Sequence, residues 1–425
     1  MVKVMADLSC NLAGIRSPNP FWLASAPPTN SGYQVMRAFE AGWGGAVWKT
    51  LGEPIVNVTS RFGGLDFKNF RLIGMNNIEL ITDRPLADNL REIKEVKRAF
   101  PDRAIVASLM ELPDRQRWHD LVKTVEEAGV DGFELNFGCP HGMSERGMGS
   151  AVGQVPELIA ETTSWVVETS RVPVIVKLTP NITDVRHTAR AAAEGGAHAV
   201  SMINTLNSLI GVDLETWKPI PQVDGMSSHG GYCGPAVKPI ALNMVAECAR
   251  DAAVGIPISG IGGVSNWRDA VEFMLMGAWN VQVCTAVMHH GFAIVEDMLD
   301  GLSNYLDSRG IVSLDGIIGK SVPRMTTWEN LNLEYKVIAR IDQDKCIHCN
   351  KCYIACEDAA HQCIDRFVNA DGSSTVVVDE EECVGCNLCA MVCPVNDCIN
   401  MLEVDTGKPP QTWKQRQALA AAEAR

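Results

Sequence analysis

The sequence predicts an α/β protein, a (β/α)8 barrel followed by a small cysteine-rich domain, and three observations predict it. Short apolar, β-branched runs alternate with longer amphipathic stretches eight times in about the first 310 residues. Polar residues gather at the C-terminal ends of those runs, the face where barrel enzymes build their sites. Ten of the 15 cysteines fall between Cys346 and Cys398, and only five in the first 345 residues.

The expected strands are 21–25, 46–49, 105–109, 133–136, 174–178, 200–203, 256–259 and 281–284. Several are apolar on every residue, as parallel strands covered on both faces are. Helical periodicity occupies 33–41, 84–100, 114–128, 155–170, 184–194, 235–253, 267–276 and 292–306. Glycine-containing stops at 127–130, 194–197 and 276–278 close helices where a strand should follow. Eight such units fit a closed barrel, and an open doubly wound sheet is the alternative that periodicity leaves standing. Lys49, Asn136, Lys177, Asn204 and Gly262 sit at or just past strand ends, which favours the barrel. Residues 1–310 are therefore read as the barrel and 311–340, where the alternation fades, as a linker packed across it. Residues 341–402 are the cysteine domain, and 403–425 a tail that forms an exposed helix or frays.

The net charge is −14 with a pI near 5.2, and no Lys/Arg-rich run marks a nucleic-acid or anionic-membrane surface. No run of about 18 apolar residues offers a transmembrane span, and residues 1–11 lack the pattern of a secretory leader. A cytoplasmic protein is expected. Reduced thiols in that compartment need a role other than disulfides.

Cys346, Cys349, Cys352 and Cys356 follow the spacing x2, x2, x3, and Cys383, Cys386, Cys389 and Cys393 repeat it, ending in Pro394. This is the spacing of bacterial two-cluster ferredoxins, in which the fourth cysteine of each run ligates the other cluster. Cys346, Cys349, Cys352 and Cys393 would hold one [4Fe–4S] cluster, and Cys383, Cys386, Cys389 and Cys356 the second. A structural zinc site is the competing assignment, but zinc takes four ligands, not two interleaved sets. Glu357 stands where a proline usually follows the fourth cysteine, and Cys363 and Cys398, outside the pattern, are expected to be packing residues.

In the barrel, the segment 134–149 ends a strand at Asn136 and enters a loop with four glycines, a candidate mobile lid. Cys139 lies in it beside Pro140 and His141, and a catalytic acid/base role is favoured over an inert buried thiol. Lys49 and Lys177 each follow an apolar run. Two lysines at one barrel mouth point to an anionic ligand, with snorkelling to the rim as the alternative. The run 259–263 after strand seven and Cys284-Thr285 after strand eight lie where barrels place phosphate. No dinucleotide fingerprint of the Gly-x-Gly-x-x-Gly kind occurs in the chain. A phosphate site, an anion-stabilising lysine and an electron-carrying domain together suggest FMN.

At these residues the chain resembles a known family. The stretches 19–27, 39–44, Lys49-Thr50, 77–81, 136–149, 177–181, Asn204-Thr205 and the double cysteine motif resemble the FMN/iron–sulfur half of dihydropyrimidine dehydrogenase. The resemblance is greatest to its separate subunit in bacteria and spans roughly residues 12 to 401. It implies that Ser25, Lys49, Thr50, Lys177, Gly234, Ile261, Gly262, Gly263, Cys284 and Thr285 hold FMN. It also implies that Asn77, Asn136, Asn204 and Thr205 bind uracil or thymine, and that Cys139 protonates C5 while hydride reaches C6. The half that binds FAD and nicotinamide is missing here, so a flavoprotein partner carrying FAD and binding NAD(H) is implied, in a hetero-oligomer. The runner-up is a dihydroorotate dehydrogenase-like enzyme acting on another cyclic amide. The non-enzymatic alternative is an electron-transfer subunit.

Overall fold

Eight parallel strands close into a barrel in the computed structural model, which describes residues 6–370 and 372–423. In chain order they are Phe21–Leu23, Gly45–Leu51, Ala104–Leu109, Gly132–Asn136, Val174–Lys177, Ala199–Met202, Ile258–Ile261 and Ala278–Val283. Each pairs with its sequence neighbours, and the eighth pairs with the first (Val281 with Phe21), so the closure left open by periodicity is observed. The second, third and fourth strands are buried at every residue. That explains their unbroken apolar look: helices cover the outside and side chains fill the inside.

The covering helices start where a side chain can satisfy the free N–H groups of the first turn. Ser31, Asp114, Asp184 and Asn266 accept from the backbone N–H groups of Gln34, Arg117, Arg186 and Arg268 respectively. Their apolar faces carry Phe39, Val122, Ala189 and Phe273 into one continuous core with the strands.

Two excursions interrupt the alternation. Phe62–Phe67 and Phe70–Asn77 follow the second barrel strand, and Leu206–Ser208 and Gly230–Cys233 follow the sixth. They join into one four-stranded antiparallel sheet, with Gly231 opposite Asn77.

The chain divides into two compact units, one ending at Met325 and one starting at Thr326. The division falls inside the stretch read as a linker. The first part of that stretch docks on the barrel unit, with Gly319 and Ser321 donating N–H to the carbonyls of Met274 and Leu275 at 2.8 and 2.9 Å.

In the second unit, Lys336–Ile341 pairs with Ile399–Val404, and Ile364–Val368 with Ser374–Val378, both antiparallel. The second hairpin fills the long spacer between the cysteine runs. Each run feeds a helix, Lys351–Ala359 and Leu388–Val392. Pro394 stands just past the end of the second helix. Glu357 occupies the matching place in the first, is exposed, and lets that helix run on to Ala359. Trp413–Glu423 is an exposed helix. Among the described residues no helix is long and apolar enough to cross a membrane.

Candidate active site and cluster cavities

The C-terminal ends of the barrel strands surround a cavity of about 1130 Å³ of open space. Cys139 lines it, as do Asn77, Asn136, Asn204 and Thr205, and so do Ser25, Lys49, Thr50, Lys177, Gly234, Ile261, Gly262, Gly263, Cys284 and Thr285. The barrel strand ends and the antiparallel sheet together bring to one cavity residues separated by up to 260 positions.

A chain of hydrogen bonds fixes the polar wall. Ser25 Oγ and Thr50 Oγ1 lie 3.2 Å apart. The Asn136 amide donates to Thr50 Oγ1 at 3.0 Å, and the Asn204 amide donates to Asn136 Oδ1 at 2.9 Å. Thr205 N–H in turn donates to Asn204 Oδ1 at 2.8 Å. Asn77 comes from the antiparallel sheet and donates to the Gly231 carbonyl at 3.0 Å. Two excursions far apart in sequence thus hold one another and complete the wall.

The Cys139 loop, whose glycines make it a candidate mobile lid, is packed down in this structure. The Cys139 carbonyl accepts from Ser150 N–H at 3.0 Å, and Met143 and Met148 close an apolar cluster around the thiol. Only the tip, Glu145 to Gly147, is exposed. Cys139 is itself buried, and its Sγ reaches the His141 carbonyl at 3.5 Å. Burial disfavours the thiolate and pushes this thiol up to about 11, against smaller opposing effects of the His141 bond and of Lys177. The thiol therefore stays protonated at neutral pH.

Both lysines are buried with carboxylates. Lys49 pairs with Glu79, whose other oxygen is 3.5 Å from Arg61 Nε. Lys177 Nζ lies 3.4 Å from Glu134 Oε1, inside the barrel. Glu134 Oε2 accepts from Ser201 Oγ at 2.8 Å and from the Gln282 amide at 3.0 Å. His141 offers one ring nitrogen to the Glu79 carbonyl at 3.0 Å, and burial holds its pKa below the ordinary histidine value. Glu79, Glu134, His141 and Gln282 were absent from the sequence-based site. Strand parity could have found Glu134: it stands two residues before Asn136 and so faces the same way.

The residues fit FMN. Lys49 and Lys177 offer cations to an anion, and the asparagine wall offers both donors and acceptors to a flat polar ring. Gly262 and Gly263 turn with φ of +125° and +76° beside the cavity. A Cβ on Gly262 would lie 2.7 Å from the Ala241 Cβ, so the backbone itself makes this wall. Gly262→Ala is expected to weaken FMN binding by about tenfold, since about 1.4 kcal/mol of strain would suffice. Flavin fluorescence on dilution of the holoprotein measures it.

The second unit holds two smaller cavities of about 320 and 330 Å³. Cys346, Cys349, Cys352 and Cys393 line the first, and Cys356, Cys383, Cys386 and Cys389 the second. The interleaving follows from two identical turns. His348 and Asn350 in the first run, and Gly385 and Asn387 in the second, have left-handed φ of +54°, +58°, +69° and +68°. These turns wrap three thiols around each cavity while the fourth arrives from the opposite helix. Four motif thiols around each of two cavities suit two cubanes, each taking one thiolate on each of four irons.

Residues 8–306 match the dihydroorotate dehydrogenase family, and residues 339–401 a 4Fe-4S dicluster domain. The NAD-dependent dihydropyrimidine dehydrogenase subunit PreA of Escherichia coli (strain K12) is 42% identical over 361 residues, 84% of this chain and 87% of that one. The chloroplastic dihydropyrimidine dehydrogenase (NADP(+)) of Arabidopsis thaliana is 41% identical over 76% of this chain and 79% of that one. The crystal structure of DHODH from Eimeria tenella in complex with ferulenol superposes with a TM-score of 0.61 at 18% identity, covering 75% of this chain and 89% of that one, a likeness of fold. FMN in the barrel and two [4Fe–4S] clusters in the second unit are the cofactors. The chain belongs to the dihydroorotate dehydrogenase family and, within it, with the dihydropyrimidine dehydrogenases, oxidoreductases whose barrel is joined to a dicluster domain.

Proposed function

We propose that this chain reduces the C5=C6 bond of uracil and thymine, reversibly, to the 5,6-dihydropyrimidines in the cytoplasm. Electrons would reach it through its two clusters from a partner subunit that carries FAD and binds NAD(H). The observation that carries the reading is the Cys139 thiol, kept protonated by burial in the cavity that also holds Asn77, Asn136, Asn204 and Thr205. The names of the relatives, an NAD-dependent subunit and a dihydropyrimidine dehydrogenase, point the same way.

FMN, when bound, supplies the hydride that reaches C6 of the pyrimidine. The chain's own residues do the rest. A pyrimidine edge alternates C=O and N–H, and a carboxamide offers both partners in one plane. The bonds linking Asn136, Asn204 and Thr205 fix those planes before the ring arrives. Cys139 Sγ delivers its proton to C5, and Lys177, whose charge favours the thiolate, steadies the anion left behind. The apolar cluster around the loop keeps water from replacing the thiol as acid.

Anaerobic steady-state assays of the purified chain, with reduced viologen as donor, test the reading against its nearest competitor. Uracil or thymine is expected to turn over and orotate is not. Orotate consumption without uracil consumption would make this a dihydroorotate dehydrogenase.

A further inference from the structure

Cys363 and Cys398 belong to neither cysteine motif, and the sequence placed them as packing residues. Both are buried, at 6% and 2% exposure. Each also lines a cluster cavity: Cys363 the one formed by Cys356, Cys383, Cys386 and Cys389, and Cys398 the other. Each cavity therefore contains a fifth thiol.

The two differ in what their protons can reach. Cys398 Sγ lies 3.6 Å from the Asp342 carbonyl oxygen, an acceptor that competes with the nearby Cys393 sulfur. Cys363 Sγ lies 3.6 Å from Cys356 Sγ, and the Cys383 thiol is also in its reach. Both of those neighbours are ligands of the second cluster, and ligation removes their protons. Of these three thiols only Cys363 then keeps a proton to donate, beside the Ala339 N–H that already reaches Cys383 Sγ at 3.5 Å. Its place is fixed, because Asp379 N–H donates to its carbonyl at 2.9 Å and the strand Ile364–Val368 follows directly.

We propose that Cys363 is a built-in hydrogen-bond donor to the ligand sulfurs of the second cluster and raises that cluster's reduction potential. An S–H aimed at a ligating sulfur withdraws charge from it and favours the reduced, more negative cluster. Cys398, with a carbonyl to bond, does much less for the first cluster. The chain sets its two clusters apart in potential through one side chain, without altering a ligand.

Potentiometric titration followed by electron paramagnetic resonance on the anaerobically purified full chain tests this. The second cluster's signal is assigned by its loss in Cys386→Ser. Cys363→Ala is expected to keep its full iron, sulfide and flavin content and to move only the second cluster to a more negative potential. Cys363→Ser, whose hydroxyl still donates, is expected to recover most of that shift, and Cys398→Ala to shift the first cluster less. Unchanged potentials in Cys363→Ala, or equal shifts of both clusters, would overturn the proposal. So would loss of iron from Cys363→Ala, which would make Cys363 a ligand and not a donor.

Discussion

Cys139→Ala is expected to slow uracil reduction by about 10²–10⁴-fold, the range associated with a positioned general acid, at unchanged flavin and iron content. The alanine leaves the loop anchored, because the loop is held by the Ser150 N–H bond to the Cys139 carbonyl and by Met143 and Met148, none of which needs the sulfur. The substitution removes the thiol and its contact with the His141 carbonyl, and with them the proton. Stopped-flow reoxidation of the reduced flavin by uracil isolates the step, and near-normal rates would end the assignment. The pH dependence has a definite sign. The thiol can give its proton below its pKa, which burial pushes up to about 11. Reduction is therefore expected to hold across neutral pH and to decline as pH climbs toward that value. Cys139→Ser, with a weaker acid, is expected to be slower than wild type and to lack the decline.

Glu134→Ala is expected to destabilise the barrel by about 3–5 kcal/mol, the usual cost of stripping one partner from a buried ion pair. Glu134 is fully buried, and Lys177 is nearly so, only 3.4 Å away. Removing the carboxylate leaves a cation without its counter-charge and withdraws the acceptor used by Ser201 and Gln282. Glu134→Gln keeps an acceptor oxygen for those two and should cost less. Thermal unfolding of the full chain, following the barrel transition, measures the order: wild type, then Gln, then Ala. An alanine variant as stable as wild type would show that Lys177 does not depend on Glu134.

The barrel was legible because parallel strands covered on both faces leave continuous apolar runs, as Ala104–Leu109 does. The seventh strand begins two residues later than its apolar run, since Pro257 cannot donate to the ladder and the pairing starts at Ile258. The antiparallel sheet was not legible. Phe62–Phe67 contains Gly63, Gly64 and Asp66, a weak strand signal, and one of the two neighbours of Gly230–Cys233 lies more than 150 residues earlier. The cysteine spacing disclosed which thiols gather around which cavity, because that grouping is written locally. The carboxylates behind the lysines were hidden for the opposite reason. Glu134 had only its parity with Asn136 to mark it, and Glu79, just past a strand of the antiparallel sheet, carries no local mark of burial at all.

The antiparallel sheet separates two kinds of inheritance within one cavity. Lys177, Glu134 and Gln282 belong to the strands of the barrel, and any change there risks the fold along with the chemistry. Asn77, Tyr232 and Phe62 hang from the excursions at 52–85 and 204–237 and reach the cavity from outside the barrel wall. Those three side chains can be exchanged without touching a barrel strand, whereas Glu79, the partner of Lys49, and Gly234, on the same excursions, line the redox cavity itself. A lineage, or an engineer, seeking a different ring for the same electrons has those side chains to edit.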